Sequence, residues 1–160
     1  MRRATAIVLL LLASLVALAS PLRAADTLTG LLFYATDTDA SELTEKAEDK
    51  AGDTDRHAAE LKKAFKAKKF VLLGRHTAPV SSKYSIWLKP SPQFPLQIEN
   101  TGTTADGGLS LYWILWQKEK LPTKDRELVK SNTVLTKAAP LLIGGPKWRK
   151  GRLVFVVRRD

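Results

Sequence analysis

Apolar and polar positions alternate differently in successive stretches of the chain. Residues 4–19 carry no charge at all. Residues 28–34 (LTGLLFY) are dense in strand formers, whereas residues 37–55 (DTDASELTEKAEDKAGDTD) are acidic and offer a core only Leu43 and some alanines. That excursion reads as a mobile loop or a weakly held helix that Gly52 would end. Ala58, Leu61, Ala64 and Phe65 then recur at helical spacing behind a possible Asp53 or Asp55 cap.

From Phe70 onward the pattern is that of strands, at 70–73, 84–88, 94–98, 109–116, 127–130, 141–143 and 153–157. Turn residues separate them: Pro79, Pro90-Ser91-Pro92, Asn100-Thr101-Gly102, Asp106-Gly107-Gly108, Leu121-Pro122 and Gly144-Gly145-Pro146. Phe94, Leu96 and Ile98 alternate with Gln97 and Glu99, so that strand has one wet face, and Pro95 suggests an edge position. In LSLYWILW, Leu109, Leu111, Trp113 and Leu115 share one face, with Tyr112, Ile114 and Trp116 on the other. Residues 153–157 are also apolar on both faces, so both strands need two covers. They are expected side by side in one sheet, under the helix. No internal repeat is visible. The expected fold is α+β, a mainly antiparallel β-sandwich or partly open barrel with one covering helix.

Met1-Arg2-Arg3 followed by the uncharged run and Pro21-Leu22-Arg23-Ala24 has the layout of a general secretory signal peptide cleaved after Ala24. An uncleaved anchor is the alternative. The run is too short for a comfortable membrane span, so none is expected after cleavage. The expected organisation is a signal peptide at 1–24 and one β-rich domain at 25–160, in the periplasm or outside the cell. The chain has no cysteine, which excludes disulfides and a lipid-modified cysteine anchor.

Lys and Arg number 26 against 16 Asp and Glu, a formal net charge of +10. Residues 25–60 are net acidic and residues 61–160 strongly basic. Within the helix, Glu60 precedes Lys62, Lys63, Lys66, Lys68 and Lys69, the order the helix dipole favours. An exported basic protein points to anionic glycans, lipid headgroups or its own acidic segment rather than nucleic acid.

Four constellations carry possible chemistry. Asp37, Asp39, Ser41, Glu45 and Glu48 fall at positions 1, 3, 5, 9 and 12 of a calcium loop, but Glu42 stands where the turn needs glycine. His57 beside Asp53 and Asp55 permits a carboxylate–imidazole pair, the basis of a hydrolase alternative. No serine elbow or cysteine is present to be activated, and His76 reads as an exposed strand end. Neither a zinc triad nor a phosphate loop is present, so no cofactor is expected. Trp87, Tyr112 and Trp116 with Lys89, Lys118 and Lys120 form a glycan or polyanion platform, or lie in the core as Trp113 does. Near the end, GGPKWRKG reads as an eight-residue hairpin tip presenting Lys147, Trp148, Arg149 and Lys150, extended by Arg152. A tip tryptophan buries little unless something lies against it.

A leader, one strand, a polar excursion, a helix running through LKKAFKAKKFVLL into a strand, and strands closed by PLLIGGP and KGRLVFVV together resemble small exported bacterial β-rich proteins of unknown function. The resemblance implies an envelope protein and brings no active site with it. The expectation is therefore a non-enzymatic binding or accessory protein. Its partner would be another envelope protein or an anionic surface component, met through the basic, tryptophan-bearing tip.

Overall fold

The computed structural model describes residues 26–160 except 42, 45 and 120–123. The expected signal peptide, Glu45 of the calcium pattern, Lys120 and the Leu121-Pro122 turn lie outside the described residues. The first strand, β1 (Thr27–Thr36), is buried along nearly its whole length. Helix α1 (Asp53–Phe65) follows, then β2 (Lys69–Pro79), β3 (Ile86–Leu88), β4 (Leu96–Thr103), β5 (Leu109–Gln117), β6 (Arg126–Leu135), β7 (Leu141–Trp148) and β8 (Gly151–Arg159).

These strands make two antiparallel four-stranded sheets, ordered β2-β1-β8-β7 and β3-β4-β5-β6, not closed into a barrel. The architecture is an α+β sandwich. Leu28, Leu32, Leu153, Phe155 and Val157 of the first sheet meet Ile86, Leu96, Ile98, Leu111, Trp113 and Leu115 of the second. The opposite face of the first sheet presents Leu31, Phe33, Ala35, Val154 and Val156 to Leu61 and Phe65 of α1. The apolar-on-both-faces pattern of β8 thus has its two covers. Strand β5 belongs to the other sheet, and the helix covers only β8's sheet, contrary to the expectation of a shared one. Strand β4 is interior, not an edge; Pro95 stands just before it and gives only its carbonyl, to Trp116 N–H.

The helix is fastened by charges. Asp53, His57 and Leu61 recur every fourth residue and form its buried stripe. Asp53, 1 % exposed, takes Arg158 Nη1 at 2.5 Å and Arg75 Nη1 at 2.8 Å from the sheet beneath. Arg158 also bonds Asp160 at 2.7 Å, and Thr29 donates to the same carboxylate. With Asp53 so engaged, the cap comes from Asp49, whose oxygens accept from the amides of Asp53 and Thr54 at 2.7 and 2.8 Å. Gly52 is the left-handed residue opening α1, rather than the end of an earlier helix. None of the described residues within 37–50 is helical; Ala40 and Leu43 pack on Tyr34, and Ala47 N–H bonds Leu72 C=O on the edge of β2. Among the described residues no helix is long and apolar enough to cross a membrane.

Burial, with Arg158 close by, holds the His57 imidazole below its ordinary value of 6.5. The unfolded chain therefore binds a proton near pH 6.5 that the folded chain refuses. Its share of stability is complete above that pH and falls as the solution is acidified below it. Arg159 and Lys137 hold Asp26 down to about 2. At Asp49 and Asp160 burial opposes ionisation, but hydrogen bonds outweigh it and lower both carboxyls. A second loss accordingly begins below about pH 4, as these groups take up protons on unfolding. Urea titrations from pH 8 to pH 5 should show falling stability in the wild type and a flatter profile in His57→Leu. Asp53→Ala, which removes the shared partner of Arg75 and Arg158 and leaves Arg158 only Asp160, should cost about 3 kcal/mol in the same measurement at pH 7.

Candidate functional site: the cationic β7–β8 hairpin

The hairpin is tighter than the sequence suggests. Gly144 to Lys147 form a bulge containing Pro146, which lacks a ladder donor and is tolerated on this edge strand. Pairing resumes at Lys147 with Arg152 and at Trp148 with Gly151, leaving a turn of Arg149 and Lys150 alone. The eight-residue tip is thus corrected to two residues, because GGPKW continues β7 and Gly151 begins β8. Gly151 is required here, since a Cβ would stand 2.1 Å from Ala35 C=O and 2.8 Å from the Tyr34 ring.

Trp148 is half-buried. Its ring meets Tyr34 edge-on with centroids 5.2 Å apart, and the Arg149 guanidinium lies 4.6 Å above it. The picture of a bare tip tryptophan is therefore replaced by an indole in contact with both Tyr34 of β1 and the Arg149 cation. Arg149 holds a left-handed backbone, φ 51°, which a non-glycine residue adopts at a cost.

Three hollows adjoin the hairpin; one of 250 Å³ lies between Tyr34, Asp39, Ser41 and Leu43 and the turn residues Arg149 and Lys150, and the other two lie on opposite sides of the sheet. The larger, 470 Å³, lies where α1 ends, between Phe65 and Ala67 and the side chains of Lys147, Arg149, Lys150 and Arg152. Asp37 is the carboxylate in its wall, and its Oδ1 accepts the Lys68 amide. Among the described residues no carboxylate forms an ion pair with Lys147, Lys150 or Arg152. Lys62 and Lys63 in the last turn of α1 add to the positive field. The other hollow, 270 Å³, is apolar and opens between the two sheets, with Trp148 as one wall.

The remaining candidates lie elsewhere. Trp87, Tyr112 and Trp116 occupy the outer face of the second sheet, all half-buried, with no helix of the described residues over them. Trp116 Nε1 donates to Gln97 at 3.0 Å, and Lys118, paired with Asp125, sits 5.9 Å from the Trp87 ring. Lys89 is exposed beyond β3, and Trp113 is core. His57, 4 % exposed, does not share Asp53, whose oxygens are taken by the arginines. His76 is half-buried within β2 rather than exposed at a strand end. Of the calcium pattern, Asp39 accepts from Ser41 and Lys69, Glu48 pairs with Lys50, and Asp37 serves Lys68. No three His, Cys, Asp or Glu side chains among the described residues converge as metal ligands.

The helix end escaped the sequence reading as part of the basic site, because Phe65 looked only like core. The Asp53–Arg75–Arg158 link was missed too, although the spacing of Asp53, His57 and Leu61 carried it. No family model, curated protein or solved structure matches this chain. Trp148→Ala should cost about 2 kcal/mol in denaturant titration, through the lost packing on Tyr34 and the sandwich core. Arg149→Ala should change stability by less than about 0.5 kcal/mol.

Proposed function

We propose that this is an exported envelope protein that acts by binding, not by catalysis, and that the β7–β8 hairpin with the end of α1 receives an anionic partner. The carrying observation is the 470 Å³ groove, where four cations from one hairpin face a wall whose described acid is already engaged. A carboxylate-rich segment of another envelope protein or an anionic surface polymer suits it. Such groups can approach cations held on a rigid two-stranded arm, so less ordering is needed on binding. The periplasmic or extracellular address rests on the signal-like residues 1–24.

A second reading has its own observation. The outer face of the second sheet leaves Trp87, Tyr112 and Trp116 beside Gln97 and Lys118 without a covering layer among the described residues, an arrangement suited to stacking a glycan. Retention on an immobilised sulfated polysaccharide separates the two. The double change Lys150→Glu/Arg152→Glu should weaken retention about tenfold and shift elution to lower salt, with an unchanged melting temperature. The same charge change at exposed Lys83 and Lys124 should have little effect. Loss of retention in Trp87→Ala/Trp116→Ala, but not in the hairpin variant, would favour the glycan platform instead.

A further inference from the structure

We propose that the facing pair Lys147 and Arg152 is a site for a phosphate monoester, whose two charges match the pair and whose organic group rests on Phe65. The inference rests on the reading of the hairpin as an anion site and narrows that reading to one class of anion. Lys147 and Arg152 stand directly opposite each other across β7 and β8, and both are exposed. Both line the groove at the end of α1, so their side chains leave the same face of the sheet. Cβ atoms at such positions are about 5 Å apart, and like charges placed there repel and weaken the hairpin. The other lysines and arginines on the strands of this sheet, Lys69, Arg75, Arg158 and Arg159, each pair with an aspartate. Among the described residues Lys147 and Arg152 have no such partner. A sheet that compensates its other cations and leaves two of them opposed forgoes stability at that point, and a local rule broken in this way marks a functional position.

The pair sets the charge of its ligand. A carboxylate, a sulfate ester or a phosphate diester carries one negative charge and leaves one of the two cations uncompensated. A phosphate monoester carries close to two above about pH 6, and its three terminal oxygens can accept from the Lys147 ammonium and the Arg152 guanidinium together. Ala35 is the next residue across the sheet from Arg152, and its short side chain leaves the floor of the groove open. Phe65, Ala67 and Asp37 line the groove as well and bring no cation to it. A second anionic group therefore has no partner among them, whereas an organic substituent can lie on the Phe65 ring.

The test is calorimetry on the purified protein at low salt with phenyl phosphate, phenyl sulfate and inorganic phosphate, with melting temperature followed in parallel. At pH 8 phenyl phosphate should bind about tenfold more tightly than phenyl sulfate, a monoanion of the same shape. It should bind about fivefold more tightly than inorganic phosphate, which lacks the ring. No histidine lines the groove, so at pH 5.5 the preference over phenyl sulfate should vanish as the ester takes up its second proton. Lys147→Gln and Arg152→Gln should each reduce the preference at pH 8 to less than about threefold. The same variants, free of ligand, should melt about 2 °C higher than the wild type, because the repulsion is gone. Vesicles of phosphatidate and of phosphatidylglycerol distinguish the sources of the ester. Selective capture by phosphatidate assigns it to a lipid headgroup; no capture, with phenyl phosphate binding intact, assigns it to a soluble or polymer-borne ester. Equal affinity for phenyl phosphate and phenyl sulfate, a preference unchanged in both variants, or variants that melt below the wild type would overturn the proposal. If the wild type is retained on the sulfated polysaccharide all the same, the anion groove stands without the monoester; if it is not retained either, that reading falls too.

Discussion

Strands β1 and β8 are apolar on both faces, and neither face can be left to water. One face is met by the second sheet and the other by α1, which makes a three-layer arrangement obligatory. The covers are unequal in length. A helix of 13 residues spans about 20 Å, whereas strands of 10 and 9 residues run about 30 Å. The roof therefore ends before the strands do. Where it ends, around Ala35, Gly151 and Arg152, the sheet is finished by the cations of the hairpin rather than by apolar side chains. The groove follows from that shortfall.

The two ends of the helix are treated in opposite ways. At its start, one buried carboxylate is clasped by two arginines, and an acid from the preceding loop caps the amides. At its finish, lysines gather beside the basic hairpin. Much of the acidic segment is used internally, with Asp37 on the Lys68 amide, Asp39 on Ser41 and Lys69, and Asp49 on the helix start. The charge asymmetry of the sequence thus has a structural part.

Alternation and turn residues made the fold class legible, because two-faced and one-faced strands differ in composition and the helix follows a period of its own. Partnership was less visible. Nothing in the composition of β5 and β8 says that they lie in different sheets, since each satisfies its inner face against the other across the sandwich. Strand ends were underestimated wherever polar residues continued the ladder, as in β2 beyond Gly74 and β6 beyond Lys130. The hairpin was misjudged for the same reason: glycine and proline looked like a loop, but a bulge absorbed them. The basic residues of the site were readable as charge. The wall supplied by Phe65, and the edge-on contact of Trp148 with Tyr34, depend on residues distant in sequence.

Sheet order also governs the route by which the molecule assembles. The second sheet is a meander of successive neighbours and can form from local hairpins as the chain emerges. The first sheet joins β1 to β8, its centre drawn from opposite ends of the described chain. That pairing carries a large loop-closure entropy and waits until the last strand is present. Until then β1 has neither of its covers complete, so it is a segment for a chaperone to shield, and folding of the two halves is expected to separate in time.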